Sequence, residues 1–398
     1  MKLLIACELP ESAQQSLRQL APEVLYQPDW TAARDGRLLD NVSILIVGSA
    51  RVSVETIRQA RALQLIVHAG CGPGDIAIEE ASAQGIFVAH CPDKHAAAVA
   101  ELTFGLMLAL DRRIVDHAIA LREGRWSRGA LADARGLAGR TLGVLGYGTI
   151  GRLLARRARA FDMRVLAWVP LRAGEPPAEP DVTFCNWPRE LARQSDCVAV
   201  LAVEPPGQIL VDQEFLASLP IGAYLIHVGY PGAADEAALA RAVEQRRLRL
   251  ALDVFSSEPT GDSGRFRNRL CDLPGVIATP HIGPLTEQAR AATAAEVVRI
   301  VQAYVVSGEV LNALNLAERS PAKWQLVLRV RDQVGVMASI LEAVRADGIN
   351  AQEIISRVFT GAKAASCTIA LDERPSTEAV EAIRQIPDVL HLELRAVV

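Results

Sequence analysis

The segment Gly146-Tyr147-Gly148-Thr149-Ile150-Gly151 constrains this chain more than any other. Its G-x-G-x-x-G spacing follows a short apolar run, Thr141–Leu145, and opens an amphipathic stretch, Arg152–Phe161. Strand, glycine turn and helix in that order are the context in which the pattern binds a dinucleotide. Gly146 permits a tight turn, Gly148 lets backbone N–H groups approach a pyrophosphate, and Gly151 lets the helix pack closely on the strand. Thr149 and Ile150 lie at the helix N-terminus, whose partial positive charge favours an anion. A turn that merely needs its glycines is the plain alternative.

A dinucleotide site of this kind usually has an acid for the adenosine ribose at the end of the next strand. Here Trp168-Val169-Pro170-Leu171-Arg172 offers Val169 in its place, with Arg172 close behind. Loss of the acid removes repulsion toward a 2′-phosphate, and an arginine can bind one. NAD and NADP both stay open, because Arg172 also reads as a solvated loop residue.

The rest of the chain repeats the βα rhythm. Leu3–Cys7, Ser43–Val47 and Gln64–His68 read as strands, with helices at Ser12–Leu20 and Val54–Ala60. Ala96–Arg113 reads as a long buried helix. Strands resume at Thr141–Leu145, Arg164–Val169, Cys197–Ala202, Tyr224–Val228 and Arg249–Val254. The expected class is α/β with two Rossmann-like, mostly parallel sheets. Ala313–Pro321 reads as a linker. Beyond it, Trp324–Val330, Val336–Asp347, Gln352–Phe359, Ala364–Leu371, Thr377–Ile386 and Leu390–Val398 form a ferredoxin-like βαββαβ pattern. A length of 398 residues suits two or three such domains.

Composition narrows the function. Net charge is −4, so a phosphate-driven nucleic-acid role is not expected. No apolar run approaches the ~20 residues of a membrane-spanning helix, and the N-terminal MKLLIACELP reads as a buried strand rather than a signal peptide. The seven cysteines are odd in number and contain no C-x-x-C, which points to a reducing, cytoplasmic setting with neither a disulfide framework nor a zinc site.

Along nearly its whole length the chain resembles the D-2-hydroxyacid dehydrogenases, of the D-3-phosphoglycerate dehydrogenase type with a C-terminal ACT domain. The likeness rests on GRTLGVLGYGTIGRLLARRARAFDMRVLA (139–167), ALDVFSSEP (251–259), TPHIGPLTEQA (279–289) and VAELTFGLMLALDRRI (99–114). It implies a substrate-binding lobe from residues 1–95 and 287–315, a dinucleotide-binding domain at 96–286, and a regulatory ACT domain at 322–398. By motif position it makes His281 the acid/base, Glu258 its carboxylate support, and Asp253 the group meeting the nicotinamide carboxamide side. A protonated imidazole serves as acid when a keto group is reduced, and the neutral ring as base in reverse. A purely structural sheet-end carboxylate is the alternative for Asp253.

The chain departs from the family where substrate is held. The family's catalytic Arg lies in N-T-A-R-G-G; here His227-Val228-Gly229-Tyr230-Pro231-Gly232 puts Tyr230 at that position. A tyrosine cannot clamp a carboxylate with two charged hydrogen bonds. R-A-G-x-G becomes His68-Ala69-Gly70-Cys71-Gly72, N-A-P becomes His90-Cys91-Pro92, and the early R-S becomes Gly48-Ser49. The backbone near Gly70, Cys71 and Gly72 can still receive a carboxylate, with Lys94, His95 or Arg51 as candidate anchors. Five of seven histidines (68, 90, 95, 227 and 281) fall in segments that line the family's cleft. No pair has metal-ligand spacing on one element, so no metal is expected. A small 2-keto or 2-hydroxy acid is the expected substrate, and 3-phosphoglycerate is not carried over. A weak or inactive homologue, sensing through its ACT domain, is the rival reading.

In the C-terminal segment, Arg331-Asp332-Gln333-Val334-Gly335-Val336 resembles the ACT-domain turn, and Asn350 lies in the turn that follows. The resemblance implies an amino-acid effector held by Asp332 and Asn350 between paired domains, hence a homo-oligomer. Helix capping is the alternative role for Asp332.

Overall fold

A computed structural model describes residues 1–32, 36–126, 128–129, 134–170, 179–201, 209–245, 247–259, 264–317 and 320–397. Arg172, Ala202 and Val398 lie outside the described residues. The chain divides into two compact units, Met1–Asn315 and Leu316–Val398.

The first unit holds two parallel sheets. One is built from β1 (Lys2–Ala6), β2 (Glu23–Tyr26), β3 (Ile44–Val47), β4 (Leu65–His68) and β5 (Phe87–His90), in the order β2-β1-β3-β4-β5. Both faces are covered, as parallel sheets require. Leu3, Ile5 and Val67 pack with Leu17 on one side, and Leu4, Leu45 and Ile66 with Trp30 and Ile57 on the other.

The other sheet takes β6 (Thr141–Leu145), β7 (Arg164–Trp168), β8 (Val182–Phe184), β9 (Cys197–Val200), β10 (Ala223–His227), β11 (Leu248–Leu252) and β12 (Val276–Ala278). Its order, β12-β11-β10-β9-β6-β7-β8, reverses between β6 and β9. The glycine loop leaves β6 at that reversal, where doubly wound sheets form their ligand crevice.

Two helices pass between the sheets. Ala96–Arg112 follows β5 and packs on the second sheet, burying Val99, Phe104, Met107 and Leu110. It ends where Arg113 turns left-handed at φ 49°, and a separate helix, Ile114–Arg122, begins there. The expected single helix to Arg113 therefore stops one residue early. Glu287–Ser307 runs back and buries Val297, Ile300 and Val301 against the first sheet.

The second unit is one antiparallel sheet with two helices. Its strands β13 (Trp324–Arg331), β14 (Ala351–Val358), β15 (Ala364–Leu371) and β16 (Val389–Ala396) lie in the order β14-β15-β13-β16. With helices Val336–Ala346 and Thr377–Arg384 this is the βαββαβ order read from the sequence. Leu326, Leu328, Ile340, Cys367, Ile369 and Ile383 form its core.

Candidate active site

The glycine loop is shaped to receive a dinucleotide. Gly146 has φ 99°, a conformation that favours glycine. A Cβ on Gly151 would come within 3.2 Å of the Gly146 carbonyl oxygen, the Tyr147 ring and Val144. A Cβ on Gly148 would meet nothing within 4 Å, so the space over the loop is open. Gly148 caps the helix Thr149–Ala160 with no side-chain hydrogen bond, which leaves the first amides available to an anion. Val169, just past β7, is only half-buried and brings no carboxylate to the ribose position.

Glu258 and His281 follow β11 and β12, 23 residues apart. His281 Nδ1 lies 2.8 Å from Glu258 Oε2, and Glu258 Oε1 accepts the Phe255 N–H at 2.8 Å. A carboxylate only accepts, so the shared proton sits on Nδ1 and Nε2 is left to face a substrate. The His281 backbone lies at φ 51°, rare for a residue with a side chain. That strained turn is held by Asp253, only 1% exposed. Asp253 Oδ1 accepts from Thr279 Oγ1 at 2.6 Å and Ile282 N–H at 2.9 Å, and Oδ2 from Gly283 N–H at 2.8 Å. Its carboxylate thus faces the 279–283 turn, as in the structural alternative, and is no part of the cleft wall described next.

A cavity of about 1000 Å³ opens beside the pair. From the first sheet come residues at the carboxyl ends of strands: Glu8 and Leu9 after β1, Gly48 and Ser49 after β3, and His68, Gly70 and Cys71 at β4. His95, Glu258, His281, Glu287 and Arg290 complete the wall relevant to chemistry. Burial pushes the His95 imidazole below its ordinary range against the pull of Asp93, with a smaller push from the nearby His281, so the fold favours its neutral form.

Other expected residues stand elsewhere. Tyr230 is 38% exposed, is not in the cavity wall, and lies over Gly232, where a Cβ would meet its ring at 2.6 Å. Lys94 Nζ is 3.1 Å from Glu296 Oε2, so the expected anchor is tied to a buried carboxylate instead of facing the cavity. Arg51 sits 3.7 Å from Asp75 on the surface. Gly72 lies behind the wall, between His68 and His90. His227 is 2% exposed, and among the described residues neither ring nitrogen has a partner at full hydrogen-bond geometry. Burial pushes it down to about 4, despite the nearby Pro231 and Val200 carbonyls and the carboxylates Glu236 and Glu258.

Arg290 is the residue the sequence reading missed. It lies on the first turn of Glu287–Ser307, nine residues past His281, and its guanidinium has no partner among the described residues. Its place just after the TPHIG motif was the available signal. Among the described residues no group of three or more His, Cys, Asp or Glu is placed to hold a metal ion.

In the second unit, Asp332 lies before the helix Val336–Ala346 and Asn350 after it, at opposite ends of about 16 Å of helix. One copy therefore does not bring them together. Gly335, not Asp332, is the N-cap.

Comparison with known proteins now fixes the class. Residues 104–283 match the NAD-binding domain of the D-isomer specific 2-hydroxyacid dehydrogenases. The chain is 30% identical over 361 residues to the D-3-phosphoglycerate dehydrogenase of Methanocaldococcus jannaschii, covering 89% of this chain and 67% of that protein. It is 34% identical over 265 residues to the hydroxypyruvate reductase of Thermotoga maritima, covering 66% of this chain and 84% of that one. A solved NADPH-dependent glyoxylate/hydroxypyruvate reductase of Sinorhizobium meliloti, in complex with NADP and malonate, is 26% identical with a TM-score of 0.68 over 79% of this chain and 96% of its own. The chain belongs to the D-isomer specific 2-hydroxyacid dehydrogenase family. Members of that family are NAD-dependent oxidoreductases acting on the CH–OH of 2-hydroxy acids.

Proposed function

We propose that this chain reduces a small, unphosphorylated 2-keto acid, or oxidises the matching D-2-hydroxy acid, with NAD or NADP. The observation that carries the reading is the Glu258–His281 pair, 2.8 Å apart, on the wall of a cavity whose far side is the Gly70–Cys71 backbone. A dinucleotide held by its pyrophosphate at Gly146–Gly151 would supply or accept the hydride at C2.

In the reducing direction His281 Nε2 gives its proton to the C2 oxygen. Glu258 holds Nδ1–H and stabilises the charged ring before the transfer, and the reverse reaction runs the same path backward. The substrate carboxylate lies between the Gly70–Cys71 backbone and Arg290, the cavity's one arginine among the lining residues described. A charged guanidinium can take over the anchoring that Tyr230, lying on Gly232, does not provide. Glu8 and Glu287 also line the cavity, and Gly48-Ser49 bring no cation. That balance disfavours a substrate with a second, doubly charged phosphate.

The rival reading is a dinucleotide-binding sensor with little turnover, favoured by Tyr230 standing outside the cavity. The test is a panel of 2-keto acids with NADH and NADPH, using His281→Ala as control. Turnover of an acid well above that variant supports an enzyme. Dinucleotide binding with no turnover supports the sensor.

A homo-oligomer also fits. Helix Ile114–Arg122 buries no residue and exposes Ile114, Val115, Ile119 and Leu121. The edge strand β14 exposes Ile354 and Ile355. Paired second units would bring Asp332 of one copy toward Asn350 of another, the arrangement an amino-acid effector requires. Seven free cysteines suit a cytoplasmic location, and no described helix is long and apolar enough to cross a membrane.

A further inference from the structure

The loop that lines the cleft beside His281 is fastened by two histidines. His68 ends β4 and His90 ends β5, and the two are register partners on neighbouring strands. Between them sits the backbone of Gly72, at φ 84°. His68 Nδ1 is 2.9 Å from the Gly72 carbonyl oxygen. The Gly72 N–H donates to His90 Nδ1 at 3.0 Å.

These two contacts settle where the protons lie. A carbonyl oxygen only accepts, so His68 carries its proton on Nδ1. An N–H only donates, so His90 Nδ1 is bare and its proton is on Nε2. His90 is therefore the neutral Nε2–H form, while His68 donates from Nδ1. Two more contacts fix the loop. Cys91 N–H donates to the Gly70 carbonyl at 2.9 Å. The His68 ring fills the inside of the loop so tightly that a Cβ on Gly70 or Gly74 would come within 2.7 or 2.9 Å of it.

We propose that His68 and His90 are positioning residues for the substrate carboxylate, clamping the Gly72 backbone between a donating and an accepting imidazole so that the Gly70–Cys71 backbone faces the cavity. The inference rests on the functional reading above and deepens it: the two histidines shape the acid's seat without acting as charged anchors. Burial favours the neutral form of both rings. Around His90, the neighbouring His68 adds to that and Asp93 opposes it. Around His68, the Gly72 and Gly48 carbonyls oppose burial. The thiol of Cys91 beside them is pushed up to about 12 by burial, then by Glu296, so it stays uncharged.

The clamp has a defined failure. A proton on His90 Nδ1 turns the acceptor into a donor that faces the Gly72 N–H. The loop then loses one of its fastenings, and KM for the acid rises on the acid side of the ordinary imidazole range.

The test uses the full chain and follows kcat, KM for the keto acid and Kd for NADH from about pH 5 to 8. His90→Leu removes the acceptor, and His90→Asn keeps an oxygen for the Gly72 N–H but cannot titrate. We expect His90→Leu to raise KM about tenfold at neutral pH with kcat within about twofold, the loss of one buried hydrogen bond. His90→Asn should recover most of that loss and abolish the acid rise in KM. Unchanged Kd for NADH shows that each variant is folded. Equal losses in kcat and KM for His90→Leu, or an acid rise that persists in His90→Asn, overturn the proposal.

A readout independent of turnover is the ring-nitrogen NMR of the chain labelled with [15N]histidine. Opposite tautomers for His68 and His90 support the clamp, and equal tautomers overturn it. A parent that turns over no acid while showing opposite tautomers overturns the functional reading and the carboxylate role, and leaves the clamp as loop architecture only.

Discussion

Asp253 Oδ2 and the Gly283 N–H meet at 2.8 Å, and a Cβ on Gly283 would press within 2.9 Å of that same oxygen. The turn that carries His281 therefore hangs from a buried carboxylate. Asp253→Asn keeps the shape but sets an NH₂ against either the Gly283 N–H or the Ile282 N–H. We expect the turn to shift and kcat/KM to fall by more than about tenfold, with a stability loss of about 1–3 kcal/mol. Steady-state kinetics with a denaturant titration checks this. Full activity would show that His281 is held by other contacts.

Glu258 accepts two hydrogen bonds with two oxygens, one from His281 and one from Phe255. A glutamine can accept only one of them. Glu258→Gln should therefore present His281 in the wrong tautomer and leave its charged form without a counter-charge. The expected fall in kcat is about 10²-fold, at the lower end of what acid/base catalysis contributes, with KM little changed.

Glu296 is 4% exposed and gathers Arg299 at 2.5 Å, Asn312 at 2.6 Å and Lys94 at 3.1 Å. Arg299, with Lys94 and Asn312, outweighs burial and holds its carboxyl down at about 2. The folded pKa is depressed, so the stabilisation is present above the ordinary carboxylate range and lost as pH falls from about 4.5 toward 2. A shift of that size corresponds to about 3 kcal/mol at neutral pH. Glu296→Gln should flatten the acid limb of the stability curve in that window and lower stability at neutral pH, as read by urea unfolding against pH.

His227 adds to the same acid loss for a different reason, since burial favours its neutral form. Its ring is buried with no partner at full hydrogen-bond geometry among the described residues and is pushed down to about 4 by burial. An unfolded imidazole binds its proton near 6.5, so the unfolded state takes up more protons between about 6.5 and 4. Stability should fall across that window by a few kcal/mol as pH drops. His227→Leu removes both the titration and the unsatisfied nitrogens, and should leave stability unchanged or higher at pH 5. A melting-temperature series against pH reads this. A variant with the same acid loss as the parent would place the titration elsewhere.

What the sequence disclosed, and what it hid, follows from the range of each interaction. The strand Thr141–Leu145, the glycine turn and the helix after it are local and were legible at once, the helix starting at Thr149 rather than Arg152. The βαββαβ order was legible for the same reason, within a residue or two at each end. The strands β2, β5, β8 and β12 are the edges of the two parallel sheets and lack the fully buried apolar run that marks inner strands such as β3 and β9. The break at Arg113 uses neither glycine nor proline, so the long helix read through it. Lys94 looked like a free cation because its partner, Glu296, lies 202 residues away in the chain. The clamp of His68 and His90 on Gly72 depends on parallel register between two strands, which no motif records.

The division of labour between Tyr230 and Arg290 gives the sharpest test of how this chain holds its acid. Tyr230 lies over Gly232 and outside the cavity, whereas Arg290 lines it with no partner among the described residues. If a guanidinium anchors the carboxylate, Arg290→Leu should raise KM by about 10–100-fold, the worth of a charge-assisted pair, with a smaller effect on kcat. Tyr230→Phe should change KM less than about twofold, because its hydroxyl makes no contact in the cavity. Tyr230→Arg in the Arg290→Leu background should fail to restore KM, since the side chain at 230 starts from the wrong side of the 230–232 turn. Rescue by that double variant would mean the turn opens on binding and position 230 is within reach of the acid. A strong Tyr230→Phe effect with a silent Arg290→Leu would reverse the assignment and place the tyrosine on the substrate.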